Sequence, residues 1–100
     1  MPSAKRYRLH PEAWAELEIA DDWYFAHSVD ASIEFLSSLD EALDKISNAP
    51  LRWPSYLHGA RRYVLPRFPF SIVYLDENSL LTVIAIAHSK RKPGYWKDRL

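Results

Sequence analysis

Cysteine is absent from these 100 residues, so neither a disulfide nor a thiolate metal centre can form. That absence fits a reducing compartment, and the expected location is the cytoplasm. Glycine occurs only at Gly59 and Gly94, too few for a glycine-rich phosphate loop or a dinucleotide-binding fingerprint. Long apolar runs are missing as well. The longest, Leu80 to Ala87, falls far short of the roughly 20 residues that span a bilayer. The opening "MPSAKRYRLH" mixes charged and apolar residues and has no signal-peptide core, so a soluble, unprocessed chain with no membrane partner is expected. His10, His27, His58 and His88 lie far apart without ligand spacing, and no serine sits in a nucleophile-elbow context. No metal and no cofactor are expected.

What the chain does have is apolar bulk and a charge gradient. Its length suits one domain over residues 1–100, and 48% hydrophobic content supplies a core without staples. The formal net charge of zero hides two unlike halves. Residues 1–50 carry four lysines and arginines against ten acids, whereas residues 51–100 carry nine against three. A domain polarised in this way steers a charged partner to one end.

The order of elements follows from periodicity. "AKRYRLH" alternates Tyr7 and Leu9 with Arg6 and Arg8, the pattern of a half-buried strand. In "HPEAWAELEIADDWYFAH", Pro11 suits the first helical position, and Ala13, Leu17, Ala20 and Tyr24 recur at helical spacing. A second helix is expected from Ala31 to about Asn48, capped by Asp30, with Phe35, Leu39, Ala42, Leu43 and Ile46 inward. After a loop rich in proline come "RRYVL", "FSIVYL" and "LLTVIAIAH", the last two joined by the turn "DENS". This β-α-α-β-β-β order predicts an α+β fold, a helical hairpin on one face of a mostly antiparallel sheet. The final "KPGYWKDRL" reads as a turn or a short helix.

Candidate chemistry concentrates in the basic half. Carboxylates pair only on the acidic helices, at surface spacing, where solvation accounts for them. Arg61, Arg62 and Arg67 flank or sit within the first strand of the second half, while His88, Lys90, Arg91, Lys92, Tyr95 and Trp96 follow the last one. Arginine forks suit phosphate or carboxylate, and flat rings stack on bases or fill a partner's pocket. The plainer alternative is a solvated tail whose "YW" folds back to cap the core. Trp14, Trp23, Phe25 and Trp53 exceed what one core stripe holds, so some should form an exposed patch that a partner covers.

The element order, the helix "PEAWAELEIADDWY" and the stretch "RRYVLPRFPFSIVYLDENSLLTVIAIAHSKRKPGYW" together resemble the RelE/ParE superfamily of bacterial toxins, in its plasmid-stabilisation branch. The likeness runs from about residue 6 to the end. It implies a type II toxin neutralised by a cognate antitoxin in a hetero-oligomer, with Trp14, Trp23, Phe25 and Trp53 as candidate antitoxin contacts. RelE-like members cleave mRNA on the ribosome, which here would fall to His88, Tyr95, Arg61, Arg67 and Arg91. ParE-like members bind DNA gyrase and block it without catalysis, which would need a docking surface such as His88, Lys90, Arg91, Lys92, Tyr95 and Trp96. Between Lys45 and Asp76 there is no Lys, Asp or Glu to act as the nuclease base, so the ParE-like reading is preferred. A decayed toxin that only binds antitoxin is the third alternative.

Overall fold

The computed structural model describes residues 4–100; residues 1–3, included in the single domain expected over 1–100, lie outside them. Strand β1 (Arg6–Leu9) leads into helix α1 (Pro11–His27) and helix α2 (Val29–Asn48), followed by β2 (Arg61–Val64), β3 (Phe70–Glu77) and β4 (Leu80–His88). The expected order and the α+β class are both observed. Short 3-10 turns lie at Leu57–Gly59 and Lys97–Arg99.

Local chemistry sets the helix ends. The backbone N–H of Glu12 donates to His10 Nδ1 at 3.1 Å, and Pro11 takes the first helical position, where its missing N–H costs nothing. The hairpin link is shorter than expected, and Asp30 is not its cap. Ser28 alone joins the two helices in an extended conformation. Its N–H closes α1 on the Tyr24 carbonyl at 2.9 Å, and its hydroxyl accepts from the Ala31 N–H at 3.3 Å. One serine therefore ends one helix and caps the next. The Ser32 hydroxyl bonds Asp21 at 2.5 Å and pins the helices side by side.

The sheet order is β1-β4-β3-β2, with β1 parallel to β4 and the other pairs antiparallel. Strands β3 and β4 turn at Asn78-Ser79, where Asn78 accepts a positive φ of 38°. Strand β1 is an exposed edge rather than a half-buried strand: Tyr7 is 43% exposed, and Leu9 alone reaches the core. Opposite β3, residue Val73 pairs with Ala85 but Tyr74 pairs with Val83, so Ile84 is the extra residue of a β-bulge.

Both faces of the sheet are sealed. Under the hairpin, Ala13, Ala20, Phe35, Leu39, Leu43 and Ile46 pack against Ile72, Tyr74, Leu81, Val83 and Ile86. The bulge turns Ile84 and Ala85 together to the opposite face, where they join Val73, Ala60 and Trp96. Neither α1 nor α2 covers that second face; residues 49–60 and the C-terminal segment do.

Candidate functional site

The site begins where β1 stops. Its pairing with β4 ends at Leu9 opposite Val83, so residues 84–88 of β4 have a strand neighbour on only one side. On the open side, side chains replace the missing strand. The Ile86 N–H donates to Glu16 Oε1 at 3.0 Å, and the Ile84 carbonyl accepts from Arg99 Nη1 at 3.1 Å. Arg99 also forks onto Glu16, Nη1 to Oε1 at 2.9 Å and Nη2 to Oε2 at 3.0 Å. The Tyr95 hydroxyl donates to Glu16 Oε2 at 2.6 Å. One carboxylate thus joins α1, the open edge of β4 and the C-terminal segment. A bidentate, charge-assisted pair in a partly dry setting is among the stronger polar links available to a protein.

This environment perturbs both of its partners. Burial raises the Tyr95 phenol well above its ordinary range, and its hydrogen bond to Glu16 raises it further. The hydrogen bond to Glu16 raises Arg99, against the opposing effect of burial. Glu16 is therefore not one of the solvated acids expected on the helices. The signal for it is spacing: it lies three residues after Ala13 and four before Ala20, both buried, and so borders the core stripe.

Past the end of β4 comes the basic loop. The Ser89 N–H donates to the Pro69 carbonyl at 2.8 Å, the Lys90 N–H to His88 Nδ1 at 3.0 Å and the Arg91 N–H to the His88 carbonyl at 3.0 Å. His88 meets Phe70 edge to face at 5.0 Å, and Phe70 meets the buried Phe35 at 5.5 Å, so the loop is tied to the core through rings. Lys90, Arg91 and Lys92 are exposed, and among the described residues none has a carboxylate within ion-pair distance. The Arg91 guanidinium lies 3.8 Å from the centroid of the Tyr95 ring. Gly94, at φ +81°, turns the chain back beside His58, and its conformation suits glycine.

Trp96 corrects the expectation of an exposed docking ring. It is 1% exposed and packs on the second face with Ile84 and Ala85, its ring 6.1 Å from Tyr56 and 5.8 Å from His58. The bulge supplies an apolar floor, and the turn at Gly94 folds the segment onto it. Trp96 anchors the loop; it does not face a partner. Tyr95 is half-buried between the loop and α1.

The arginines separate. Arg61 and Arg62 are strand neighbours and point to opposite faces. Arg61 Nη1 donates to the Trp53 carbonyl at 2.6 Å, so it holds the 49–60 loop instead of standing free for phosphate. Arg62 stacks over Tyr56 at 4.1 Å on the same face as Trp96 and borders a cavity of about 80 Å³ with His88, Arg91 and Lys92. Arg67 is exposed in the β2–β3 connection.

An apolar groove of about 530 Å³ lies between α1 and the open edge of β4. Ile19, Ala20, Trp23, Tyr24, Phe70 and Ile86 form its walls, and His88, Lys90 and Arg91 border it with Glu16 and Tyr95. The four aromatics expected on one partner surface do not gather there. Trp23, 58% exposed, is in the groove, whereas Trp14 and Phe25 are exposed on the other flank of α1, about half a turn round the helix. Trp53 is half-buried against Tyr63 at 4.6 Å, its indole N–H enclosed without a partner.

The sequence pattern of the ParE toxin of type II toxin–antitoxin systems, parDE, matches residues 7–93. The chain belongs to the ParE toxin family. It is a ParE-like type II toxin, as the resemblance implied. No curated protein is significantly similar in sequence. Among solved structures, a chain of the chromosomal ParDE toxin–antitoxin system from P. aeruginosa superposes with a TM-score of 0.72 at 18% identity, over 85% of this chain and 96% of that one. The likeness extends to the fold. The matched ParE segment stops at Pro93, short of Tyr95, Trp96 and Arg99. Among the described residues, no helix is long and apolar enough to cross a membrane, and no group of His, Asp or Glu is placed to hold a metal ion.

Proposed function

We propose that this ParE-family toxin inhibits DNA gyrase by docking the loop from His88 to Tyr95 onto it, and that a segment of the cognate antitoxin silences the toxin by lying in the groove between α1 and β4. The observation that carries the reading is the loop itself: three exposed cations without carboxylate partners, held rigidly by a buried tryptophan on one side and a ring ladder to the core on the other. Unpaired charges on a fixed frame suit recognition of a large acidic surface, because little ordering cost remains to be met on binding. The groove suits an apolar segment with acidic residues at its border, laid in as a helix or along the open strand edge. Lys90 and Arg91 border groove and loop alike, so an occupant of the groove also masks the docking surface.

The geometry weighs against RNA cleavage. The Tyr95 hydroxyl, one of the groups to which cleavage would fall, is engaged by Glu16 and its proton is held tightly. Arg61, one of the expected phosphate clamps, is committed to a loop carbonyl. Purified toxin added to gyrase and relaxed plasmid tests the proposal. Loss of supercoiling, restored by antitoxin, is the expected result; undiminished supercoiling at excess toxin would sink it.

A further inference from the structure

We propose that Glu16, a residue of α1 remote in sequence from the loop, is a positioning residue for target binding: its carboxylate fixes the Tyr95 ring, and that ring fixes Arg91. This inference rests on the gyrase reading for its functional half and on geometry alone for its structural half.

The carboxylate is only 16% exposed and takes four hydrogen bonds, from Ile86, from Tyr95 and two from Arg99. All four come from residues 70 or more positions away in the chain, so Glu16 is the point at which the C-terminal segment is clasped to the first helix. Tyr95 is the end of the clasp that matters for docking. Its hydroxyl is bound to Glu16, its ring is the platform under the Arg91 guanidinium, and the Arg99 guanidinium lies 5.2 Å from the same ring. Arg91 has no carboxylate of its own, so the platform defines where its charge is presented.

An isosteric change separates positioning from bulk. In Glu16→Gln one oxygen still accepts from Ile86, but an NH₂ group replaces the other, facing the Tyr95 hydroxyl and the second arm of Arg99. At Arg99 donor would meet donor, and the Tyr95 hydroxyl, losing its charged acceptor, could only accept from the new NH₂, so the charge-assisted clasp weakens without loss of volume.

The experiment uses the full chain released from antitoxin. The Arg91 guanidinium lies over an aromatic ring, so protons of its side chain should resonate upfield, and this shift would report the platform directly. In Glu16→Gln the upfield shift should fall by more than about half, and the toxin concentration that halves gyrase supercoiling should rise about tenfold, the scale of one well-made polar contact. Tyr95→Phe, which keeps the ring and loses only the hydroxyl bond, should move both readouts in the same direction and keeps the test available if Glu16→Gln folds poorly. In an Arg91→Ala background, Glu16→Gln should add nothing further to the loss of inhibition, since the two changes act on one path. An Arg91 shift that survives both variants overturns the proposal, as does full additivity with Arg91→Ala, because a merely structural carboxylate gives those results. A collapsed shift with unchanged inhibition overturns its functional half. Wild-type toxin that leaves supercoiling intact removes the gyrase reading, and the Arg91 resonance then decides the clasp on its own.

Discussion

The face of the sheet beneath the helical hairpin and the face beneath the C-terminal segment are both dry, but they are closed in different ways. The first is covered by a repeating stripe from α2, Phe35, Leu39, Ala42, Leu43 and Ile46, backed by small residues of α1. The second is covered by coil, with Trp96 as its one large, fully buried ring and Tyr56 beside it on a floor made by the bulge at Ile84. Burial shared among many helical residues spreads the effect of losing any one over the whole face. Burial concentrated in one ring does not. The second face is also the one whose cover carries the basic loop, so the working surface is hung from the less redundant half of the core.

Trp96→Ala is the substitution expected to expose that difference most. It should cost about 3–5 kcal/mol, the range for a large aromatic removed from a core. Hydrogen exchange should show protection lost mainly over residues 50–60 and 88–100. Phe35→Ala, of similar nominal cost, should lower protection throughout. Equal effects of both on α2 would mean that the two faces do not differ in redundancy. Next in size is Trp23→Ala. It should weaken antitoxin binding by about 2 kcal/mol while leaving gyrase inhibition intact, since an exposed ring in a groove behaves as an interface anchor. Calorimetry with the antitoxin measures this, and an unchanged affinity would place the antitoxin elsewhere.

Each face also carries one phenol whose pKa is raised, and these give a smaller, pH-dependent effect. Tyr74, under the hairpin, donates to the Pro50 carbonyl at 2.5 Å and is pushed up to about 12 by burial from an ordinary value of 10.0. Tyr95 is raised by burial and by Glu16. A folded-state pKa above the unfolded one gives stability that is complete below about pH 10 and is lost as pH rises through the folded value. Unfolding free energy should therefore hold level from neutral pH and fall as pH climbs from 10 through 12, with Tyr74→Phe and Tyr95→Phe each flattening the fall. A decline that starts near pH 8 would contradict both assignments. Smallest of all is Trp53→Phe, which removes an enclosed N–H that has no partner and should change stability by less than about 1 kcal/mol in thermal melts.

The same contrast explains what could be read in advance. Helical stripes and alternating strands announce themselves by period, and the α2 core and the order of elements were predictable for that reason. Ser28 carries no such signal, because the double role of one residue, closing α1 and capping α2, leaves no loop to recognise. The bulge at Ile84 is invisible in an aliphatic run where every residue suits either face. Trp96 follows a proline and a glycine, where no period exists to say which way a ring points. Arg61 and Arg62 are different: adjacent positions in a strand face apart, so their separation was available from alternation alone. Glu16 lay within a visible helical pattern, but its four donors come from residues far along the chain.

The most direct test of the account is gyrase supercoiling with the loop cations removed. Lys90, Arg91 and Lys92 replaced together by alanine should raise the half-inhibitory toxin concentration by at least about tenfold while leaving the melting temperature within a few degrees, since none of the three is buried or paired with a carboxylate. A triple variant that still inhibits gyrase as strongly as the unaltered toxin would contradict it.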